Sequence, residues 1–473
     1  MNTYRKLTTS MRWCAAGLAL VVTGTAFAGG TLQVPGPLEL TIQEAIDIAE
    51  TLNATELVVA PGTYVENINF GGRALTLRSA MGPEVTIIDG DAADQVITCV
   101  TGEGPGTVID GFTIRNGLAT SGAPNDRGAG LYMNQSSPTV MNCIFEDNTA
   151  TNGGAFYCNG SAPTLINCVF RNNHGISGGG YYSNNANLTL QGCEFDGNIS
   201  TARGGGGLHV DGNSLISGCQ FTDNTSVTYG GGLVIDNGAN ITVEFCVFDN
   251  NFSGDDGSNG RGGAIELHNS SATAATLTAR HCLFMNNSSS QSGGALYGLS
   301  PLTVQQCTFY GNSTGVGTAG VLGGGVLHSL VNNIAWNNGN TPIGSSVNAT
   351  YNCIEGGQTG VGNIGLAPMF VDAANGNFRL LAGSPCIDAG NATAIPTTLA
   401  VDFDGYTRAV NGALTEMPTG VPVLGVYVDM GAFEYQPIGL PSSCGADITP
   451  PGGNGDVNID DLLKVINDFG PCP

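Results

Sequence analysis

Apolar and polar residues alternate along this chain in very short runs, and the runs recur. The phrase Cys-x-Phe-x-x-Asn begins at Cys143, Cys168, Cys193, Cys219, Cys246, Cys282 and Cys307, at intervals of 25, 25, 26, 27, 36 and 25 residues. Cys and Phe stand two apart, so on a strand both point to one side. The Asn three residues beyond suits a corner, where a short amide can bond backbone groups. Each period also holds a glycine pair, as in Gly153-Gly154, Gly205-Gly206 and Gly262-Gly263, followed by a second alternating strand such as Leu208-His209-Val210-Asp211. A period in this range marks one supersecondary unit stacked on copies of itself.

Strands of a closed coil cannot pair within that coil, so they pair in parallel with the coils above and below. The pattern therefore predicts an all-β fold, a right-handed parallel β-helix solenoid between about residues 55 and 365. Its first coils are less regular, at Leu57-Val58-Val59, Leu75-Thr76-Leu77, Val85 to Gly90 and Val108 to Ile114. Ahead of them Ile42, Ala45, Ile46, Ala49 and Leu52 have helical spacing, which predicts a helix capping the open N-terminal end. Residues 1–28 read as a signal peptide: Arg5, Lys6 and Arg12 make a basic start, Cys14 to Val22 an apolar stretch, and Ala26-Phe27-Ala28 a small-residue cleavage site. The remainder divides into a β-helix with its cap (29–365), a closing segment for the far end of the core (366–435), a linker stiffened by Pro437 and Pro441 (436–442), and a small module (443–473).

The 473 residues include 73 Gly, carry a net charge of −24, and are only 11% charged. Three of the basic residues lie in the leader, and Lys464 is the sole lysine after it. Nucleic acid is excluded as a partner, because phosphates need a basic patch; cations and neutral polymers fit better. No run beyond the leader has the length of a membrane helix, so the expected location is extracellular or at the cell surface, the outer membrane included. The repeated cysteines are expected to remain buried thiols. In-register coils hold equivalent Cβ atoms about 4.8 Å apart, whereas a disulfide prefers about 3.8 Å.

Aligning the strands after the glycine pairs gives two outward columns. One reads Tyr132, Tyr157, Tyr182, His209, Val234, Glu266, Tyr297; the other reads Asn134, Asn159, Asn184, Asp211, Asp236, His268, Leu299. Flat rings beside amides suit the C–H faces and hydroxyls of a sugar polymer. Tyr132, Tyr157, Tyr182, Tyr297, Asn159 and Asn184 are thus candidate ligand contacts, although stacked tyrosines also stabilise a sheet. Asp211 and Asp236, one coil apart, could share a proton or flank a glycosidic bond, with His209, Glu266 and His268 as further catalytic candidates. The columns themselves hold no Arg or Lys. Arg127, Arg203 and Arg261 sit in the turns before glycine pairs.

The repeated Gly-Gly and Phe-x-x-Asn elements resemble the repeats of polymorphic outer membrane proteins. Glu44-Ala45-Ile46 with Val58 to Tyr64 resembles the opening of the pectate-lyase-like β-helix superfamily. Both resemblances imply the fold and leave the chemistry open, since this fold serves lyases, hydrolases, adhesins and passenger domains. The order of His174-Gly175 and Asp255-Asp256 does not match the polygalacturonase signature. Gly383 to Gly390, Asp402 to Gly405 and Asp429 to Glu434 resemble the terminal segment of choice-of-anchor surface proteins. Asp456 to Asn467 is similar to half of a type I dockerin. That resemblance implies a calcium loop using Asp447, Asn454, Asn458 and Asp461, with Pro450 and Gly452 where two further ligands belong. Cys444 and Cys472 bracket this module, and small modules need staples, so a disulfide is expected between them.

Function is expected to be binding of a polysaccharide or other surface polymer, in adhesion or attachment. A polysaccharide lyase or glycoside hydrolase acting on the same face is the alternative, and a purely structural surface protein the third reading. Ca2+ is the one cofactor suggested, and a surface scaffold is a second partner through the C-terminal module.

Overall fold

The computed structural model describes residues 30–436 except 37–38, 123–124, 256–259, 270–273, 316–318, 340–342, 345, 396–400, 407 and 409–427. The expected signal peptide, most of the expected linker and the expected C-terminal module, with Cys444, Cys472, Asp447, Asn454, Asn458 and Asp461, lie outside the described residues.

Four parallel sheets build the wall of the solenoid. Among the described residues, sheet A has 13 strands, from Thr31–Val34 to Val347–Thr350, and sheet B has 12, from Gly62–Val65 to Cys353–Ile354. Sheet C has 10, from Ile68–Asn69 to Leu322–Gly324, and sheet D has 8, from Leu118–Ala119 to Ser313–Thr314. The phrase Cys-x-Phe enters sheet B, where Phe145 pairs with Phe170 and Phe170 with Phe195.

Three inner columns result. The phenylalanines stack nearly face-parallel from Phe145 to Phe309, with successive ring centroids 4.6–5.1 Å apart. The insertion in the 36-residue interval leaves this stack intact, with Phe248 and Phe284 5.1 Å apart. The asparagines form a fully buried amide ladder. The backbone N–H and side-chain NH2 of Asn173 both donate to Oδ1 of Asn198, at 3.1 and 2.9 Å, and the same NH2 donates to the carbonyl of Phe145 at 2.9 Å. Every polar atom is thereby satisfied, the condition for burying amides at all. The cysteines stand buried as thiols. Cys219 donates its thiol to the carbonyl of Ser217 at 3.4 Å and accepts the N–H of Cys193 at 3.4 Å. Beyond Cys307 this column passes into amides: the N–H of Cys307 donates to Asn333 Oδ1 at 2.8 Å, and that of Asn333 to Asn352 Oδ1 at 2.9 Å. The thiols thus occupy a backbone-accepting corner that an asparagine fills equally well.

Corners need left-handed residues, and the sequence supplies them immediately before the columns. Asn142 and Asn167 precede ladder cysteines and Asp147 and Asn172 precede ladder asparagines, all with φ of 51–54°. Asn and Asp tolerate this region. At the glycine pairs Gly153 and Gly178 have φ of 63°. A Cβ on Gly154 would meet the carbonyl oxygens of Gly179 and His174, so backbone packs on backbone there.

Near the N-terminus the expected helix runs Ile42–Ile48 behind a capping box, with Thr41 Oγ1 accepting from the N–H of Glu44 at 3.1 Å and Glu44 Oε2 accepting from the N–H of Thr41 at 3.0 Å. Its Ile42, Ala45 and Ile46 enter the main core.

The segment 366–435 departs from its expected placement over the end of the core. Among the described residues its apolar side chains join none of the main core and lie instead along the outer side of sheet B. Phe378, Ala432 and Phe433 pack on Val247, Leu283, Met285 and Tyr310; Leu380, Cys386 and Met430 pack on Ile334 and Cys353. Ala432 donates its N–H to Thr308 Oγ1 at 3.1 Å, and Asn391 donates to Asn332 Oδ1 at 2.7 Å. The physical reason is that the outward positions of the last coils are apolar and need cover. Within the segment Arg408 is fully buried and donates to Glu434 Oε1 and the carbonyls of Gly431 and Ala432 at 2.7, 2.9 and 2.7 Å. Asp402 closes a turn, accepting the N–H groups of Asp404 and Tyr406 on Oδ1 at 3.0 and 2.8 Å.

Candidate functional site on the outer side of sheet C

Strand pairing places the two outward columns in the register read from sequence: Tyr132 over Tyr157, Tyr182, His209, Val234, Glu266 and Tyr297, coil by coil. Asn134, Asn159, Asn184 and Asp211 follow in the second column. Their inner neighbours, such as Phe156, Tyr181 and Leu208, enter the main core. The columns therefore lie outside the solenoid wall.

Lying outside the wall does not leave them open. Tyr132 is 9% exposed and Tyr157 only 3%, so the expected aromatic platform is corrected over these two coils. Over Tyr157 the cover comes from a turn residue of the coil before, and both rings are packed in a stack. Arg127 lies over the Tyr157 ring at 5.1 Å, a cation–π contact. Tyr132, Tyr157 and Tyr182 stack at 5.8 and 5.6 Å, and His209 continues the stack 4.3 Å from Tyr182. Beside them the amides of Asn134, Asn159 and Asn184 bond to one another at 2.8 and 2.6 Å. Tyr182 and Tyr297 remain half-buried, with ring surface to offer.

Where the column reaches His209 and Glu266 it becomes ionisable. Arg261, one residue before Gly262-Gly263, reaches over the face to Glu266 at 3.6 Å and lies 5.1 and 4.8 Å from the Tyr229 and Tyr297 rings. His268 Nδ1 is 3.1 Å from Glu266 Oε1, and its ring lies 4.6 Å from that of Tyr229. Arg261 and Tyr229 thus belong to the site, a cation included, although neither stands in the outward columns. Their signal was position: each immediately precedes a glycine pair, and the two are bridged in register.

Burial sets the electrostatics. Glu266 is fully buried, and desolvation lifts its carboxyl above the ordinary range against the opposing pull of the His268 hydrogen bond and the Arg261 charge. Burial holds the His209 imidazole down at about 4, so it is neutral at neutral pH. Asp211 is raised by burial, despite accepting from Asn237 Nδ2 at 2.7 Å, and the Asp236 charge raises it further. Tyr182 is pushed up to about 12, first by burial and then by the charges of Asp211 and its neighbours. Neither ring nitrogen of His209, nor Oε2 of Glu266, has a hydrogen-bond partner among the described residues. Unspent buried donors and acceptors are uncommon in native proteins, and perturbed groups concentrated in one place mark chemistry. A buried carboxyl, a neutral imidazole and a guanidinium can together donate hydrogen bonds, accept them and move a proton. Among the described residues no group of three His, Cys, Asp or Glu is arranged to hold a metal ion, and no helix is long and apolar enough to cross a membrane.

Comparison with solved structures finds similarity to the pectate lyase Pel9A, 16% identical over 80% of this chain and 88% of that one, with a TM-score of 0.42. An alginate lyase from Paenibacillus sp. str. FPU-7 is 14% identical over 62% and 98% of the two chains, with a TM-score of 0.41. The catalytic domain of a GH87 alpha-1,3-glucanase in complex with nigerose is 13% identical over 75% and 68%, at 0.39. No curated protein matches the chain. The profile of the right handed beta helix region family matches residues 62–195, 95–276 and 177–326, which overlap into one span of more than half the sequence. The chain belongs to the right-handed β-helix family.

Proposed function

We propose that the chain binds an elongated polysaccharide, or a comparable surface polymer, along the outer side of sheet C. The observation that carries this reading is the accessible ring edges of two half-buried tyrosines, Tyr182 and Tyr297, on a face that repeats coil by coil, with the ionisable His209 and Glu266 packed beneath it between them. A polymer of repeating units meets such a face at more than one coil. The carboxyls of Asp211, Asp236 and Glu266 and the overall charge of −24 favour a neutral polymer over a polyanion. Purified protein incubated with a panel of neutral and acidic polysaccharides, with and without Ca2+, should retain a neutral one without chain scission. Tyr182→Ala and Tyr297→Ala should each weaken retention at least about tenfold, the scale of truncating an aromatic residue that carries binding energy; unchanged retention in both removes this face as the binding site.

Cleavage at the same face, by glycoside hydrolysis or lyase chemistry, is the second reading. The upward shift that burial gives the carboxyls of Glu266 and Asp211 favours it, because a general acid is a carboxyl that keeps its proton to a higher pH than usual. New reducing ends or unsaturated products in the same incubation would establish it.

Export to the cell exterior, attachment at a surface, capping of the N-terminal end by the helix Ile42–Ile48, and calcium or scaffold binding by residues 443–473 complete the proposal. They rest on the leader, the helix packing and the sequence of the module.

A further inference from the structure

Eleven cysteines lie among the described residues. Seven form the ladder, each thiol donating to a carbonyl two residues back in its own corner. Cys99 and Cys158 line the inner side of sheet C on either side of Met133, which pairs with both, so two coils separate them. That leaves Cys353 and Cys386. Cys353 pairs with Ile334 in sheet B, while its neighbour Ile354 points into the main core, so Cys353 faces outward. Cys386 comes from the overlying segment. The two share one small apolar cluster with Ile334, Leu380 and Met430, both are fully buried, and Cys353 is the neighbour that acts most strongly on the Cys386 thiol. Unlike two ladder cysteines, they sit on separate pieces of chain meeting across an interface, free of the coil spacing that holds ladder Cβ atoms about 4.8 Å apart.

We propose that Cys353 and Cys386 are a modification site, oxidised to a disulfide that fastens the segment 366–435 to the outer side of sheet B, while the ladder thiols stay reduced. This rests on the reading of the chain as exported, since disulfides persist in oxidising compartments. The oxidant is a disulfide of an oxidoreductase or a low-molecular-weight thiol. One cysteine, as thiolate, attacks it, forming a mixed disulfide and releasing one thiol. The second cysteine, as thiolate, then attacks the protein sulfur of the mixed disulfide and releases the other thiol. Two protons leave the cysteines and two electrons pass to the oxidant, which ends as two thiols. Contact with Cys353 and burial hold the docked Cys386 thiol far above the usual thiol range, so the exchange belongs to folding, before the segment settles. The two cysteines stand 33 positions apart (386 − 353), and the loop they close contains the antiparallel pair Phe370–Asp372 and Asn377–Leu380.

The test uses the full chain exported into an oxidising compartment, denatured in the presence of an alkylating agent without reductant, digested and mapped by mass spectrometry. The expected result is a linked peptide pair carrying Cys353 and Cys386, two hydrogens lighter than the separate thiol peptides, with the ladder cysteines alkylated. Alkylation of both Cys353 and Cys386, or linkage of either to another cysteine, overturns the proposal. In the intact protein reductant should speed proteolysis of the segment several-fold, and in Cys353→Ser with Cys386→Ser it should change nothing. A variant that fails to fold leaves the mapping of the natural chain as the deciding measurement.

Discussion

At the residue scale the fold depends on side chains that complete backbone hydrogen bonds inside a dry core. Asn198 donates to Asn224 Oδ1 and to the carbonyl of Phe170 at 2.9 and 2.8 Å, and accepts from Asn173. Asn198→Ala should therefore cost about 1–3 kcal/mol, the penalty for stranding buried polar partners, read by chemical denaturation; a loss within error would mean water replaces the amide. His209 supplies a pH signature. Its folded value of about 4 lies below the ordinary 6.5, so the unfolded chain binds the proton first. The stability it preserves is whole above 6.5 and lost as pH falls toward about 4. In His209→Gln the melting temperature should fall less over this window than in the natural chain; parallel curves would show that the imidazole is hydrated. Much of this scale was legible in the sequence, because the inner columns repeat one residue type. Asn333 was not: it continues the cysteine column as an amide, and a search for Cys-x-Phe passes over Asn333-Ile334-Ala335.

At the element scale the unit is a strand whose partners are whole coils away. Phe221 lies between Phe195 and Phe248 at 4.7 and 4.6 Å. Phe221→Ala should destabilise by about 3–5 kcal/mol, since the neighbouring coils are held in register and cannot collapse into the gap. The glycine pairs are stricter. A Cβ on Gly206 would meet the carbonyls of Gly231 and Thr225, both backbone. Gly206→Ala should open the wall locally, with protease cleavage appearing near residue 206 before global unfolding; a protected chain would show that the coil can shift to accommodate a methyl group. Register along sheet C followed from the alternation of the strands, but exposure did not. Tyr157 alternates as an outward residue and is nonetheless covered by Arg127, a side chain from the turn, and strand periodicity says nothing about what a turn lays over its neighbour.

At the scale of the whole molecule, the position of segment 366–435 was written in residues that seemed spacers. The first outward residue of the phrase is Glu194 and Gln220 in middle coils, then Val247, Leu283 and, past Thr308, Ile334; the second passes from Asp196, Thr222 and Asp249 to Met285, Tyr310 and Trp336. An outward face turning apolar marks where something lies on it, and the segment supplies Phe378 and Phe433. Phe433→Ala should weaken this docking by about 3–5 kcal/mol, seen as cleavage within 366–435 while the coils resist. The segment's own fold should also depend on pH. Burial lifts Glu434 to about 8 from an ordinary 4.5 and Asp429 to about 6 from 3.8, against the pull of Arg408, so the folded segment holds protons that the unfolded chain releases. Its stability is then whole below about 3.8 and weakens as pH rises toward about 8, and Glu434→Gln should flatten the dependence in a proteolysis series across that window. The columns carry one more consequence. Removing residues 169–193, a single 25-residue period, would bring Cys168 before Glu194 and set Asn148 against Asn198, the same junction it now makes with Asn173. Nothing in the wall records how many treads the staircase has, so its length is free to change by whole steps without a seam.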